Sequence, residues 1–586
     1  MTKTSNKIYI GLNASYHDPS IALVNEDGII IFAQATERYT QNKRSIFTVP
    51  DNFNYVEKII DSHQIDNYEI AINWQEHSSL LKKIYFLLLT LDSSKNIGFF
   101  NFLARKVSGI EQSKLIHLFF YTRIANFSLR SFSGQTFRYL LNQKNGIKQK
   151  KIDLLNHHLC HAYHALYSSN FDSSIIIILD GSGDNGFSIS IYEADKQIIK
   201  LLEKGQRGGS LGSFYSSLTH FCGLNIFTGE EWKVMGMAPY GNLNKELYQD
   251  FKDWLYIDEI SVKNRGRKHI YIEEKIKEKK YTNLTIKDIA YTGQLFFEEL
   301  TIELIKNLYK KFPHQNLIIS GGCALNSACI GKLHISTPYK NIFVPSAPAD
   351  DGGAIGAALL LFKKNNPNKN IPNNQFNPYL GKEIEKEELD YLVKYSGYKH
   401  EEYNYTELYK IIAKELSEGK IIGWVQGKAE FGPRALGNRS ILANPLLAHM
   451  KDKINANVKF REEYRPFAPS ILEEFAADYF ENYYPTPYME RVLTIKKEKR
   501  EYLKAVNHID NTGRLQTVNK ELNPHFYNLI KEFNVLTNIP VILNTSFNVM
   551  GKPIVDSVTD MAAVFATSGL DILVINNSVF RKNISS

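Results

Sequence analysis

Two stretches of the chain share one rhythm of apolar and polar positions. Over residues 8–36, IYIGLN, ASYHDP, SIALVNEDG and IIIFAQAT read as strand, polar turn, strand, short turn, strand. Over residues 175–203, IIIILD, GSGDNG, FSISIYEADK and QIIKLLE repeat that order. A shift of 167 residues lays Asn13 on Asp180 and His17 on Asp184. Each first strand therefore ends in a polar hairpin turn able to face a shared cleft, and the pattern predicts a duplicated α/β unit. The plainer alternative is two unrelated antiparallel hairpins.

Further along, glycine-rich turns follow strand-like runs. NLIIS at 316–320 reads as a buried strand, and SGGCALN follows it, with Gly321 and Gly322 opening a helix and Asn326 closing the turn. PSAPADDGGAIGAALLLF at 345–362 repeats the idea, placing Asp350 and Asp351 before a helix that starts near Gly353. Amides at such helix starts can meet phosphate or ribose oxygens, and glycine allows close backbone approach. Nucleotide binding is the expectation.

NHHLCHAYHALYSS at 156–169 has helical spacing, with His157, His161 and His164 at i, i+4 and i+7. Side chains four apart on a helix can share one metal ion, and imidazole with carboxylate suits Fe, Mn or Zn. Asp180 ends the next strand and Asp350 a later one, so two histidines and two aspartates can converge at the cleft mouth. The alternative is a polar face of solvated histidines.

KKNNPNKNIPNNQFNPY at 363–379 reads as a solvated linker. We therefore expect domains at 1–362 and 381–586 joined by residues 363–380, the first carrying an insertion at 75–150. The second domain has its own strands, KIIGWVQ and IPVILNTS, and a set of cations: Arg434, Arg439, Lys459, Arg461, Arg465 and Arg514. Guanidinium forks bind phosphate bidentately. These cations alternate with Phe431, Pro433, Pro466, Phe467 and Pro469, which argues against a merely solvated surface.

Composition narrows the classes. At 586 residues the chain exceeds what one core supports, and 43% hydrophobic with 23% charged residues is an ordinary globular balance. The net charge of +8 is dispersed, with no basic arm, so no nucleic acid is expected as a partner. The N-terminus lacks a signal-peptide core and YFLLLTL at 85–91 is too short to span a bilayer, so we expect a cytoplasmic protein with no membrane association. Four cysteines without CxxC spacing are expected to be reduced and mostly buried.

Together HHLCHA (157–162), KVMGMAPYG (233–241), EFGPRALGNRS (430–440), KFREEYRPFAPS (459–470), HIDNTGRLQTV (508–518) and LNTSFN (543–548) resemble the signatures of the NodU/CmcH carbamoyltransferase family. The resemblance implies an α/β protein with an N-terminal actin-like (ASKHA) duplicated domain and a C-terminal YrdC-like domain. The implied activity is ATP-dependent O-carbamoyl transfer: carbamoyl phosphate and ATP form a carbamoyl adenylate, and the carbamoyl group passes to a hydroxyl of a small acceptor. It also implies a divalent metal, Fe2+ before Mn2+ or Zn2+, on His157, His161, Asp180 and Asp350, the last chosen over Asp351. His17 is implied as the base, Arg434 and Lys459 as catalytic, and Arg434, Lys459, Arg465, Met489, Arg514 and Ser546 as contacts to carbamoyl phosphate and ATP with Mg2+. Gly321, Gly322, Asn326 and Asp351 are implied in the actin-like nucleotide cleft. Pro19, Arg44 and the Asp184-Asn185 pair depart from the family pattern and leave the acceptor open, as are the oligomeric state, where a homodimer is considered, and the use of the insertion. Two rivals stand beside this reading: a sugar kinase or ATPase of the same fold, and a serine hydrolase using GGSLG at 208–212 with Ser210 as nucleophile.

Overall fold

The computed structural model describes residues 7–75, 128–145, 150–266, 268–372, 375, 377–462 and 464–582. The apolar runs YFLLLTL, FFNFLARK and LFFYTRIANF of the expected insertion lie outside these residues.

Strands β1 (Lys7–Asn13), β2 (Ser20–Val24), β3 (Ile30–Ala35), β4 (Asn67–Ile72) and β5 (Ile152–Leu154) form a sheet in the order β3-β2-β1-β4-β5. Strands β6 (Ser173–Leu179), β7 (Ile189–Asp195) and β8 (Ile198–Lys204) come next, followed by a separate hairpin of β9 (Leu255–Asp258) and β10 (Ser261–Asn264). With β11 (Asn316–Ser320) and β12 (Asn341–Phe343), the first three make a second sheet in the order β8-β7-β6-β11-β12. Strand for strand the two orders match. In both, the first strand pairs antiparallel with the second and parallel with the fourth. This is the duplicated actin-like plan. β1 and β6 are buried along nearly their whole length, which explains why they read as continuous apolar runs rather than alternating ones.

Two helices, His157–Tyr167 and Gly353–Asn365, lie in the core shared by the sheets, among Tyr9, Ala71, Ile176, Ile178 and Ile318. They pack at backbone distance because glycines permit it. A Cβ on Gly356 would sit 1.8 Å from the Cys160 carbonyl oxygen, and one on Gly11 would sit 2.0 Å from that of Ala354.

The C-terminal half is a nine-stranded mixed sheet ordered β13-β21-β20-β14-β15-β19-β16-β18-β17. Its strands are β13 (Lys399–Glu402), β14 (Ile422–Val425), β15 (Arg439–Ala443), β16 (Ala468–Leu472), β17 (Arg491–Thr494), β18 (Thr512–Val518), β19 (Val541–Ser546), β20 (Ile572–Ile575) and β21 (Ser578–Arg581). Apolar clusters cover both faces, one around Ile421, Ile441 and Phe565 and the other around Leu408, Trp424 and Phe526. The edge strand β17 meets the N-terminal half directly: buried Arg491 donates to the Ile342 carbonyl at 2.5 Å, and Gly331 lies against the Val492 backbone.

The segment expected to be a solvated linker is instead strapped to the N-terminal half. Ile371 is fully buried and exchanges backbone bonds with the Gln197 side chain at 2.8 Å, while Gln375 Oε1 accepts from Ile30 N at 2.7 Å. Its polar composition conceals this because the anchoring bonds run through amide side chains. The cysteines are all free and three are buried. No described helix is long and apolar enough to cross a membrane.

Gly356→Ala should lower stability by about 1–3 kcal/mol, as overpacked cores do, read from urea midpoints. Gly236→Ala, whose added carbon meets only Pro466 Cδ at 3.9 Å, should be neutral or stabilising. A pH effect follows from Asp51, whose carboxylate accepts from Thr136 N at 3.0 Å. Burial pushes its pKa up to about 6 despite those backbone bonds. Because the folded value lies above the unfolded one, its contribution is complete below about pH 4 and is lost as pH rises through about 6, by at most ~3 kcal/mol. Asp51→Asn keeps an acceptor for the amide and should flatten that part of the stability–pH curve; an unchanged slope would refute this account.

Candidate functional site

The His157–Tyr167 helix starts at an Asn156 cap whose side chain accepts from Leu159 N. The Asp184 carboxylate clamps the same turn, accepting from His157 N at 2.7 Å, Asn156 Nδ2 at 3.0 Å and Gln75 N at 2.9 Å. An anion at a helix N-terminus is favoured by the helix dipole. Asp184 thus anchors the helix that presents the histidines, a role the sequence offered only as a departure from the family pattern.

His157, His161, Asp180 and Asp350 are brought together, each buried, with one ligand atom apiece lying within 4.8 Å of all the others. His157 Nε2 lies 3.3 Å from Asp180 Oδ2, 3.6 Å from Asp350 Oδ1 and 3.3 Å from His161 Nε2. Partners on the far side of each ring fix this aim. The Asn73 carbonyl faces His157 Nδ1 at 3.3 Å. Ser320 Oγ gives its hydrogen to the Pro348 carbonyl and so accepts from His161 Nδ1 at 3.4 Å. Both rings therefore carry the Nδ1 hydrogen outward to an oxygen and turn Nε2 inward, as metal-binding histidines do. Two nitrogens and two carboxylates suit a first-row divalent ion.

The electrostatics show how strongly the two carboxylates draw positive charge to this point. Burial disfavours a charged His157, but Asp350 and Asp180 outweigh it and push its pKa up to about 10. Asp350 is held well below the usual carboxylate range, burial being overcome by His157 and His161. Trp74 stacks on His157 at 3.9 Å, with Arg130 over the indole at 4.2 Å.

Other expected residues fall elsewhere. His164, on the same helix face by spacing, is outside the cluster: its Nδ1 is buried against Gly352 and burial pushes its pKa down to about 3. Asp351 is not part of the cluster: its Oδ1 accepts from Gly352 N at 3.0 Å, and burial pushes its pKa up to about 8. Gly321 adopts φ +96°, and the Gly322 amide is donated to Asp180 Oδ1 at 3.2 Å, which orients that carboxylate. Asn326 caps the Ser327–Ser336 helix and pairs with Gln294. His17 sits in the β1–β2 turn and acts electrostatically on the Asp350 carboxyl. Ser210 caps the Leu211–Phe221 helix and donates to the Asp180 and Gly181 carbonyls; among the described residues no histidine is bonded to it.

A second cluster lies in the C-terminal half. Lys459 is buried, and its ammonium meets the Ser546 carbonyl, Ser546 Oγ at 3.2 Å, the Asn548 carbonyl at 3.0 Å and Asn548 Oδ1 at 2.6 Å. Burial, then Arg461 and Arg465, hold its pKa well below the ordinary lysine value. Arg514 is depressed by burial and by Arg434, Arg461 and Arg465, and burial lowers Arg434 to about 10. Like charges gathered with little acid among the described residues favour a polyanionic ligand. Glu462 lies 3.4 Å from Arg465, and Glu230 also acts on that guanidinium.

Arg439, expected among the phosphate-binding cations, is not available: it is fully buried and donates to the carbonyls of Gln426, Asn438, Lys382 and Gly427. Met489 is buried with Tyr379, Leu436, Ala468 and Tyr488, at φ +58°. Glu430 was missed by the sequence reading; its carboxylate accepts from Leu436, Asn438 and Arg439 amides and so shapes the loop that carries Arg434.

The two halves touch at residues close in the chain to both clusters. Gly432, at φ +120°, lies so close to the Ser346 carbonyl that a Cβ would stand 2.4 Å from it, and Arg38 donates to the Gly432 carbonyl at 2.8 Å. Trp232 of the N-terminal half faces the Arg465 guanidinium at 3.8 Å, and Lys233 pairs with Glu462 at 3.2 Å.

Residues 8–359 match the family pattern described as Carbamoyltransferase N-terminus, and residues 413–582 match Carbamoyltransferase C-terminus. The chain belongs to the carbamoyltransferase family. Nodulation protein NolO of Bradyrhizobium diazoefficiens is 36% identical over 74% of this chain and 80% of its own length. Nodulation protein NolNO of Sinorhizobium fredii is 36% identical over 77% of this chain and 67% of its own. Among solved structures, HypF of T. kodakarensis aligns with 62% of this chain and 48% of its own at a TM-score of 0.30 and 12% identity. The actin-like plan of this carbamoyltransferase rests on its duplicated strand order.

His161→Gln should weaken Mn2+ binding by more than about 100-fold in isothermal titration, whereas Asp351→Asn should leave it within a few-fold. Equal losses in both would place the fourth carboxylate wrongly.

Proposed function

We propose that this carbamoyltransferase works in two stages, making a carbamoyl adenylate in its C-terminal half and passing the carbamoyl group to a small hydroxylated acceptor, a sugar or natural product, beside the buried histidines. The cations crowded around Lys459 and Arg514 among the described residues are the observation that carries this reading. Substrates bearing several phosphates supply the anions that cluster lacks.

In the first stage carbamoyl phosphate, ATP and Mg2+ meet Arg434, Lys459, Arg465 and Arg514, with Ser546 beside the lysine. Water releases phosphate from carbamoyl phosphate to give carbamate. A carbamate oxygen then attacks the α-phosphorus of ATP and pyrophosphate departs. Arginine forks hold the phosphates in line and offset the charge that builds up on the leaving group. Carbamate and its adenylate are short-lived in water, so a short passage into the neighbouring site protects them. The contacts of Gly432 with Ser346 and of Trp232 with Arg465 favour such a passage.

In the second stage the acceptor oxygen attacks the carbamoyl carbon, AMP leaves, and His17 takes the hydroxyl proton, a contribution of about 10²–10⁴ in rate. His157, His161, Asp180 and Asp350 would hold a divalent ion, Fe2+ before Mn2+ or Zn2+, which supplies Lewis-acid polarisation of an acyl or phosphoryl oxygen. A kinase of the same fold leaves the C-terminal cations without a task, and the capping role of Ser210 disfavours a hydrolase.

Carbamoyl-phosphate-dependent exchange of pyrophosphate into ATP tests the first stage, and mass detection of a carbamate ester from a panel of polyols and amino sugars tests the second. Arg514→Ala should lower exchange by about 10²-fold or more. His161→Gln should abolish ester formation while exchange persists. Release of ADP without exchange would overturn the adenylation step.

A further inference from the structure

The turn that carries His17 is built with more constraint than a hairpin needs. Asn13 Nδ2 donates to the Asp18 carbonyl at 2.6 Å, and Ser15 Oγ donates to that of His17 at 2.5 Å. The backbone of Asp18 sits in the left-handed region at φ +54°, and Arg44, a distant residue in sequence, does so at φ +60°. Non-glycine residues held there mark positions that the surroundings over-determine, often for function.

These two residues face each other. Asp18 Oδ2 accepts from Arg44 Nη2 at 2.9 Å, both Asp18 oxygens lie 3.2 Å from Arg44 Nε, and Asp18 N donates to the Arg44 carbonyl at 2.9 Å. Arg44 is itself fixed: its amide donates to Glu37 Oε2 at 2.8 Å and its Nη1 to the Ile226 carbonyl at 3.4 Å. The oxygen that meets Arg44 Nη2 also lies 2.8 Å from His17 Nδ1. A carboxylate only accepts, so His17 Nδ1 carries the hydrogen and Nε2 is left with its lone pair.

We infer that Asp18 and Arg44 are positioning residues for the transfer step: Arg44 holds Asp18 ionised and aimed, and Asp18 holds His17 in the tautomer whose Nε2 can receive a proton. This rests on the reading of His17 as the acceptor-side base. As the acceptor oxygen forms its bond to the carbamoyl carbon, the bond from that carbon to the phosphoryl oxygen breaks and its electron pair leaves with AMP. The hydroxyl proton moves to Nε2, and the imidazolium so formed is stabilised by Asp18, which stays charged. Arg44, a departure from the family pattern, thereby acquires a task through Asp18.

The test is 15N NMR of the full chain with ring-labelled histidine, recorded about two units above the ordinary imidazole pKa, with His17→Gln identifying the His17 signals. The wild type should show a pyrrole-type Nδ1 and a pyridine-type Nε2. Asp18→Ala should move at least half of the population to the opposite tautomer, and Arg44→Met should give a partial shift. Asp18→Asn, a residue type that tolerates the left-handed backbone, guards against misfolding of the alanine variant and should also mix the tautomers. Asp18→Glu should restore the wild-type pattern. A wild-type tautomer retained in both Asp18→Ala and Asp18→Asn overturns the inference, as does an Nε2-protonated ring in the wild type. Failure of pyrophosphate exchange in the wild type would defeat the adenylation reading and leave the tautomer result untouched.

Discussion

Two histidines and two aspartates held out of water within 4.8 Å of one another set the terms for the rest of the N-terminal half. Buried charge is costly unless each group is paired and every remaining polar atom is satisfied. The fold meets that demand from several elements at once. The Asn73 carbonyl after β4, Ser320 at the end of β11, the Gly322 amide and the Asp184 clamp on the helix start each fix one part of the cluster. These groups come from both duplicated sheets, so the cluster is assembled from both halves around the two shared helices.

The C-terminal half has the opposite imbalance. There the cations crowd one another, and their mutual repulsion is a standing cost that phosphate groups would relieve. One loop connects these two electrostatic problems. Pro345–Pro348 leads into Asp350, provides the carbonyl that orients Ser320, and lies against Gly432 two residues before Arg434. The glycine at φ +120° is required there because any side chain would strike the Ser346 carbonyl.

Much of this was legible in the sequence. The duplicated strands showed because doubly covered strands read as continuous apolar runs, and His157 and His161 stood out by their helical spacing. Spacing alone also admitted His164, which packing against Gly352 removes. Arg439 carried the same signal as Arg434, and only the four carbonyls around it show that its guanidinium is engaged within the fold. The polar segment before the second domain hid the anchoring of Ile371, and the pairing of Asp18 with Arg44 joins residues too far apart in the chain for any local pattern to show. Long-range pairing through polar side chains is the common reason for what was missed.

The central claim is that the two histidines and two aspartates form one divalent-ion site. Electron–nuclear double resonance on the Mn2+-loaded full chain with 15N-labelled histidine addresses it most directly. Two coupled histidine nitrogens, falling to one in His161→Gln, are predicted; a spectrum with water couplings and no histidine nitrogen would contradict the account.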